Sequence, residues 1–257
     1  TCALPICLLI LSVSCIILYL IFNSSEGNLA IEKVDVCSGL SFDIVTNNPV
    51  KEYSVAGSVY IFTKKDEISS GVIEGIGKNI AETRASRQII SAKQYLLGLQ
   101  KVFIFSEAVA TNGIKPIVDI MFSNQQMNDS TWNVVCKDKA IDMLKFKVND
   151  FPSSADHIDG MMESSIEQNF MSSDYKVMDI FVRLDSEGRN LILPYLEIIN
   201  NRITLSGMSV FKKDKMVATI PMEEAKYMNF LINNKTKGTL TLQKDSLHFI
   251  SARSEER

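Results

Sequence analysis

The two histidines are the first residues to test for chemistry, because imidazole serves both as a general base and as a metal ligand. His157 and His248 lie far apart, and neither has metal-ligand spacing to a cysteine or to the other histidine. Ser154 and Asp156 precede His157 in "SSADHID", but triad members must converge in space, and neighbours at a helix start point in different directions. We predict no zinc site and no triad. Ser153 or Ser154 caps a helix instead, with Asp156 in its first turn.

The sequence "GIGKN" at 75–79 has the composition of a phosphate-binding loop but not its spacing. A P-loop needs Gly-x-x-x-x-Gly-Lys followed by Ser or Thr, whereas Val72 stands at the first glycine position and Asn79 follows Lys78. The dinucleotide fingerprint also fails, because Ile80 occupies its third glycine position. We interpret this segment as a flexible turn between a strand and a helix.

The remaining charged residues and the methionines do not form a recognisable catalytic or binding motif. Arg183 and Arg189 flank a predicted tight turn where they could meet an anion, but solvated arginines are the simpler interpretation. Asp179 and Asp185 fit the outward face of a strand rather than an acid/base pair. The eleven methionines mostly fall on apolar helix faces, which is typical of a core. We predict no catalytic site, no metal and no cofactor.

The composition is that of an ordinary folded chain. Of the 257 residues 46% are hydrophobic, and the net charge is -3 with no long run of either sign. A nucleic-acid binder normally shows a basic face, so nucleic acid is not an expected partner. The roughly 230 residues after the N-terminal apolar segment suffice for one large or two modest domains.

An apolar segment runs from Leu4 to Phe22 without a charged residue. A helix over this segment is roughly 28 Å long, close to the thickness of bilayer hydrocarbon. The apolar part of a cleavable signal is shorter, about 7–15 residues. The chain begins at Thr1 with no basic segment before Leu4, so we expect the true N-terminus to be missing. We predict residues 1–26 to be a membrane anchor or lipoprotein signal region with a polar tether.

The five cysteines divide between this segment and the rest of the chain. Cys2, Cys7 and Cys15 lie in or beside the apolar segment. Cys37 and Cys136 fall in two strand-like segments far apart in the sequence. We predict these two to be buried reduced thiols rather than a disulfide framework.

Strand and helix patterns alternate along the first two thirds of the chain. Strands are predicted at 31–45, 53–62, 68–77, 101–109 and 132–137. Asn79 is the predicted N-cap of a helix, with Glu82 in capping-box position. Its apolar stripe, the predicted buried face, is Ala81, Ala85, Ile89, Ala92 and Leu96. Three more helices follow, one through Ile114, Ile117, Val118 and Met121, one at 138–146 capped by Asp138, and one through Ile158, Met161, Met162 and Ile166. The alternation predicts a mixed α/β (α+β) fold with a largely covered sheet.

The last third is predicted to be richer in hairpins. Met178, Ile180, Val182 and Leu184 alternate with other residues, which predicts a half-buried strand at 177–185 paired in a hairpin with 190–199. A second unit begins near Arg202, with a hairpin over 203–220, a helix after Pro221 and another hairpin at 238–252. Three strands and one helix make a thin core, so we expect the C-terminus to be cut as well.

The order of several segments resembles the Ger(x)C spore germination proteins. That family shows a "GET-R" helix, then "LE-KV-I-SE--A--GI---ID---R", then a variable stretch and a "V---GKA-DIL" helix. The matching pieces here are Ala81–Arg84, Leu99–Glu107, Gly113–Phe122 and Val134–Leu144. Segments 31–43, 182–198 and 207–220 match further parts of the family, the first in a form associated with its clostridial branch.

This resemblance implies a C subunit of a nutrient germinant receptor. Members are secreted, lipid-modified on an N-terminal cysteine, and held on the outer face of the spore inner membrane of endospore-forming Firmicutes. They act with an A subunit and a transporter-like B subunit, and no enzymatic activity is established for them. The implied fold is a membrane tether followed by tandem sheet-and-helix domains. The predicted domains are 27–201, with a subdivision near 150 left open, and 202–257, the start of a truncated C-terminal domain.

Cys15 is the candidate lipidation site. A bacterial lipobox has a small residue before the cysteine and usually Leu three places before it. Ser14 meets the first condition, Ser12 stands in place of Leu, and apolar "IILYLIF" follows Cys15 where family members turn polar. We prefer an uncleaved signal-anchor helix and keep a lipid on Cys15 as the alternative. Both tether residues 23–257 to membrane lipid from outside.

Three functions are weighed on this basis. The preferred one is a non-enzymatic, membrane-anchored subunit of a spore germinant receptor, needed for nutrient-triggered germination. The second is an extracytoplasmic solute-binding module of unrelated function, which needs a ligand cleft. The third is a membrane-anchored hydrolase, which needs a cluster of His, Ser and Asp that the sequence does not offer.

Overall fold

The computed structural model describes residues 11–19, 33–46, 50–62, 68–124, 127–168, 170–186, 190–232, 241–244 and 247–250. The chain divides into two compact units, Thr1–Val34 and Asp35–Arg257. In the first unit, residues 11–19 form helix α1, whose side chains are exposed, and the Ser14 hydroxyl donates a hydrogen bond to the Leu11 carbonyl. Among the described residues no helix is long and apolar enough to cross a bilayer. The predicted span over 4–22 lies partly outside those residues.

The second unit is built on one large mixed sheet. Its strands are β1 Val34–Thr46, β2 Glu52–Phe62, β3 Ile68–Gly77, β4 Gln94–Leu96, β5 Val102–Ser106, β6 Trp132–Cys136, β7 Ile192–Ile199, β8 Arg202–Lys212 and β9 Lys215–Pro221. The helices are α2 Ile80–Ile90, α3 Glu107–Asn112, α4 Lys115–Ser123, α5 Ala140–Lys145, α6 Ser154–Glu167, α7 Val177–Asp185 and α8 Met222–Ile232. A separate hairpin joins β10 Thr241–Lys244 to β11 Leu247–Ile250.

The sheet order is β3-β2-β1-β5-β6-β7-β8-β9, with β4 beside β1. The inner pairs β1–β5, β5–β6 and β6–β7 are parallel, and each is joined by a long crossover connection that contains at least one helix. An antiparallel meander extends the sheet at each side, β1–β2–β3 at one and β7–β8–β9 at the other. The predicted mixed α/β fold is confirmed.

Helices cover both faces of this sheet, and alternate residues of β1 show how the faces differ. Leu40 and Phe42 point to the side of α2 and α4, where the Phe42 ring stacks on Phe105 with 5.4 Å between centroids. Asp43 points to the other side, where it binds the backbone of α5. All five residues of β5 and all five of β6 are buried, as a strand covered on both faces requires.

Several sequence predictions are confirmed. Ile117, Val118 and Met121 form the buried face of α4, and Ile158 and Met162 are buried on α6. The hairpin of β8 and β9 and the helix after Pro221 also occur as predicted. Cys37 and Cys136 are buried free thiols.

The prediction for 177–185 is wrong, because this segment is helix α7 and not a strand. Val177 and Ile180 are its buried residues, whereas Met178 and Val182 are 44% and 47% exposed. The proposed hairpin with 190–199 is therefore also wrong, and β7 pairs with β6 and β8 instead. The helix packs on α4, with the rings of Phe181 and Phe122 stacked at 3.8 Å between centroids.

Two helix boundaries also differ from prediction. The strand predicted at 101–109 ends at Ser106, whose hydroxyl accepts a hydrogen bond from Val109 N–H and caps α3. Asp138 does not cap α5. It has a positive φ of 61°, and the N–H groups at the start of α5 bind Asp43 instead.

Candidate functional site

Helix α2 begins directly after Asn79, the predicted N-cap. The Asn79 side-chain oxygen accepts a hydrogen bond from Glu82 N–H at 2.9 Å. The Glu82 carboxylate accepts from Lys78 N–H at 2.8 Å and from the Asn79 side-chain amide at 2.9 Å, and not from the Asn79 backbone N–H as in a capping box. The glycines of the "GIGKN" segment belong to β3, and only Lys78 and Asn79 form the link to the helix. The segment is therefore a strand end and a cap rather than a phosphate cradle.

The glycines of β3 let α2 lie directly on the sheet. A Cβ at Gly75 would overlap the carbonyl of Thr83, and one at Gly77 would come within 2.6 Å of the Glu82 Cβ. The close approach buries Thr83 and Arg87. The predicted apolar face is wrong, because Ile89 is 85% exposed. The polar face of α2 is the one that contacts the protein.

Arg87 is a buried cation, with only 6% of the residue exposed. Its Nη1 donates to the Val55 carbonyl at 2.8 Å, and its Nε has no hydrogen-bond partner in the described part of the chain. No carboxylate oxygen of the described residues lies within 4.0 Å of its guanidinium. Burial lowers the pKa of Arg87, and the like charge of Arg84 acts in the same direction.

Tyr95 of β4 lies beside this guanidinium, with 5.9 Å from the Arg87 Cζ to the ring centroid. Its hydroxyl packs over Gly57 of β2, where any Cβ would overlap it. The hydroxyl is buried and bonds to no oxygen or nitrogen among the described residues. Burial raises its pKa far above the usual value, and burial also raises the pKa of the neighbouring Cys37 thiol to about 12. Both groups are thus neutral at physiological pH.

These side chains form one wall of a groove of about 580 Å³ between α2 and α4. Its volume lies within the usual range for small-molecule sites. The apolar part of its lining includes Leu40, Phe42, Leu97, Ile117, Ile120 and Met121. Arg84, Arg87, Gln88 and Tyr95 supply polar atoms, and no Asp or Glu of the described chain lines it. The groove can therefore hold an apolar body with one negatively charged end.

The residues that suggested a triad are engaged elsewhere. Ser154 donates to the Leu144 carbonyl at 2.8 Å, and Asp156 accepts from Tyr60 and Ser153 at 2.7 and 2.6 Å. His157 packs edge-on against Phe151, and burial lowers its pKa. Ser153 accepts from Asp156 N–H and caps α6, as predicted.

Asp156 belongs to a polar cluster that fastens α6 to the sheet. Lys101 Nζ lies 3.0 Å from Asp156 and 3.2 Å from Asp159, and the Trp132 indole N–H donates to Asp159 at 2.9 Å. With Tyr60, these contacts tie α6 to β2, to β6 and to the residue just before β5. Every charge in the cluster has a partner, so its role is structural.

Other candidate residues lie apart from one another. Arg183 pairs with Asp174 at 2.8 Å, and Arg189 lies outside the described residues. Asp179 accepts from Lys176 N–H at the start of α7, and Asp185 ends that helix. Cys15 is exposed on α1. The described residues contain no group of acidic, His or Cys side chains able to hold a metal ion.

Sequence reasoning missed the groove. The available signal was Thr83 and Arg87, two polar residues four positions apart on a helix that follows a Gly-x-Gly strand. Such spacing places both on one helix face, and the glycines permit that face to reach the sheet.

The family of the chain follows from two matching family models. The "Spore germination protein N-terminal domain" matches residues 28–198, and "Spore germination B3/ GerAC like, C-terminal" matches residues 206–256. The first match alone covers more than half of the chain. The chain belongs to the Ger(x)C family of spore germination proteins, which confirms the resemblance drawn from its segments.

Individual known proteins are similar to this chain at low identity. The chain is similar to "Spore germination protein GerQC" of Bacillus cereus, 25% identical over 146 residues, which are 56% of this chain and 40% of that protein. It thus spans about two fifths of the length of the curated relative it matches. A structure described as "Crystal Structure of the GerBC protein" aligns with a TM-score of 0.42 and 12% identity, over 80% of this chain and 59% of that one.

Proposed function

We propose that this chain is a non-enzymatic subunit of a spore nutrient germinant receptor, anchored in the spore inner membrane and acting with the A and B membrane subunits. The observation that carries this proposal is the ordered match of two spore germination family models, at 28–198 and 206–256. The engagement of Ser154, Asp156 and His157 in structural contacts supports a role without catalysis.

The proposed anchor places the soluble part on the outer face of that membrane. The uncharged segment from Leu4 to Phe22 supports an uncleaved anchor helix, and the exposed Cys15 supports a lipid in its place. Mass spectrometry of the membrane-bound protein distinguishes the two, since a lipid adds its mass to a peptide that begins at Cys15. An unmodified peptide spanning Cys15 would establish the uncleaved helix.

We also propose two functional domains, 27–201 and 202–257. The two family models support this division, because residue 201 falls between their matches. Strands β7 and β8 pair across the boundary, so the first strands of the second domain extend the sheet of the first.

Dipicolinate release from spores that lack the gene tests the receptor role. Single nutrients are added to one sample and a non-nutrient trigger to another. We expect the response to at least one nutrient to be lost while the non-nutrient response remains. Expression of the gene in a strain without other receptors of this kind separates redundancy from inactivity. No restored nutrient response in that strain, with its partner subunits present, would contradict the proposal.

A further inference from the structure

The groove between α2 and α4 contains a charge that the described protein does not balance. Arg87 is buried, its Nε lacks an acceptor, and no carboxylate of the described chain lies within ion-pair distance. A second cation, Arg84, lines the same groove and raises the cost of that charge. Buried charges in proteins are normally paired, because an isolated ion loses its hydration without compensation. The site is therefore suited to an external anion.

The donors favour a carboxylate over a phosphate. A planar guanidinium matches the two oxygens of a carboxylate, and the Tyr95 hydroxyl beside Arg87 has a proton to donate. A phosphate carries more negative charge than Arg87 alone balances, and Arg84, the second cation of the groove, is exposed to solvent. One carboxylate matches the charge of Arg87.

The remaining lining determines the rest of the ligand. Leu40, Ile117 and Met121 give the groove an apolar surface, and its volume of about 580 Å³ leaves room for an extended hydrocarbon body. No acidic side chain of the described residues faces the groove, so an ammonium group would have no counter-charge there. An α-amino acid is therefore a poor ligand compared with a simple carboxylate that carries an apolar tail.

We propose that this groove is a binding site for a small carboxylate amphiphile of the fatty-acid class. Its carboxylate lies against Arg87 and the Tyr95 hydroxyl, and its tail lies between α4 and the sheet. The assignment is independent of the germination role, because it rests on the charge and lining of the groove.

Photolabelling of the full chain tests this site directly. The protein is placed in phosphatidylcholine nanodiscs and irradiated with decanoate that carries a diazirine at the end of its tail. Labelled peptides are located by mass spectrometry. We expect label on Lys115–Ser123, displaced by unlabelled decanoate and not by leucine. A decanol probe with the same diazirine partitions into the bilayer but lacks the carboxylate, so it should leave this peptide unlabelled.

Substitutions in the wall distinguish the site from general lipid contact. R87M and Y95F should each lower labelling of Lys115–Ser123 roughly tenfold, as expected when a hydrogen bond to a charged group is lost. The control K115Q removes an exposed charge from α4 outside the groove and should leave the labelling unchanged. Y95F removes a hydroxyl without an oxygen or nitrogen partner, so it should keep the melting temperature even if R87M does not fold.

Each other outcome overturns a stated part of the proposal. Equal labelling by decanol, or labelling that survives R87M in a folded protein, would show that no carboxylate is recognised. Labelling that survives Y95F would remove the Tyr95 hydroxyl from the proposed site. Label confined to residues 1–22 would show bilayer contact only. Displacement by leucine as effective as displacement by decanoate would overturn the exclusion of an ammonium group.

Discussion

The carboxylate of Asp43 accepts a hydrogen bond from the backbone N–H of Ala140 over 2.8 Å, although the two residues are 97 positions apart. Its second oxygen accepts from Ile141 N–H at 2.9 Å. Asp43 lies in β1 and both N–H groups lie at the start of α5, so a sheet residue caps a helix across the core. The carboxylate also lies at the positive end of the helix dipole.

Removal of this cap should destabilise the protein. D43A leaves two buried N–H groups without an acceptor, and we expect the free energy of unfolding to fall by about 1–3 kcal/mol. The control D142A removes an exposed carboxylate from the first turn of the same helix and should cost about 0.5 kcal/mol. Urea unfolding followed by circular dichroism measures both. Equal losses would show that the hydrogen bonds of Asp43 contribute no stability beyond the interaction of its charge with the helix.

The same residue should make stability depend on pH. Burial raises the pKa of Asp43, and the hydrogen bonds from Ala140 and Ile141 oppose that shift without cancelling it. A carboxyl whose pKa is raised by folding contributes stability that is full below its unfolded pKa of about 3.9 and is lost as pH rises through the folded pKa. D43N lacks this titration. The stability of D43N relative to the unmodified protein should therefore rise from pH 4 upward, and a flat difference would contradict the assignment.

Gly75 should tolerate no side chain, because α2 packs on it. G75A places a Cβ into the Thr83 carbonyl and the Arg87 side chain, and we expect a loss of about 1–3 kcal/mol. G160A is the matched control, since the nearest atom to its Cβ is 3.9 Å away and Gly160 lies inside α6. Alanine there should stabilise by about 0.5–1 kcal/mol. Thermal unfolding of both variants checks the contrast, which a neutral G75A would contradict.

Asp156 should matter far more than a surface aspartate. D156A breaks contacts to Lys101, Tyr60 and Ser153 at a side chain that is 11% exposed, and we expect a loss of about 2–3 kcal/mol. D119A breaks an ion pair with Lys115 in which Asp119 is 46% exposed, and it should cost about 0.5 kcal/mol or less. Urea unfolding of the two variants compares the sites. Similar costs would mean that the cluster on α6 does not hold it to the sheet.

Local patterns were sufficient for much of the fold. The Asn79 N-cap of α2, the buried face of α4 and the hairpin of β8 and β9 all follow from neighbouring residues, and the structure confirms each. The segments that indicated the family are likewise read directly from the chain. These features depend on contacts within a few positions, which the sequence encodes locally.

Helix α7 shows where local pattern is ambiguous. Met178, Ile180, Val182 and Leu184 satisfy the period of a strand. Val177, Ile180, Phe181 and Leu184 satisfy that of a helix equally well. The choice between them comes from tertiary contacts, namely the stacking of Phe181 on Phe122 and the burial of Val177 and Ile180. A sequence with two valid periods takes the one that buries more surface in the folded chain.

By itself the sequence determined the family, the alternation of strands and helices, and the ends of several helices, because those depend on residue type and short spacing. Only the tertiary structure decided which face of α2 is buried and what caps α5. Both results depend on residues distant in the chain, because the Val55 carbonyl accepts a hydrogen bond from Arg87 and the Asp43 carboxylate accepts one from Ala140 N–H. Whether a charged side chain is buried depends on the groups that the folded chain places around it, and the residues next to it in sequence do not determine those groups.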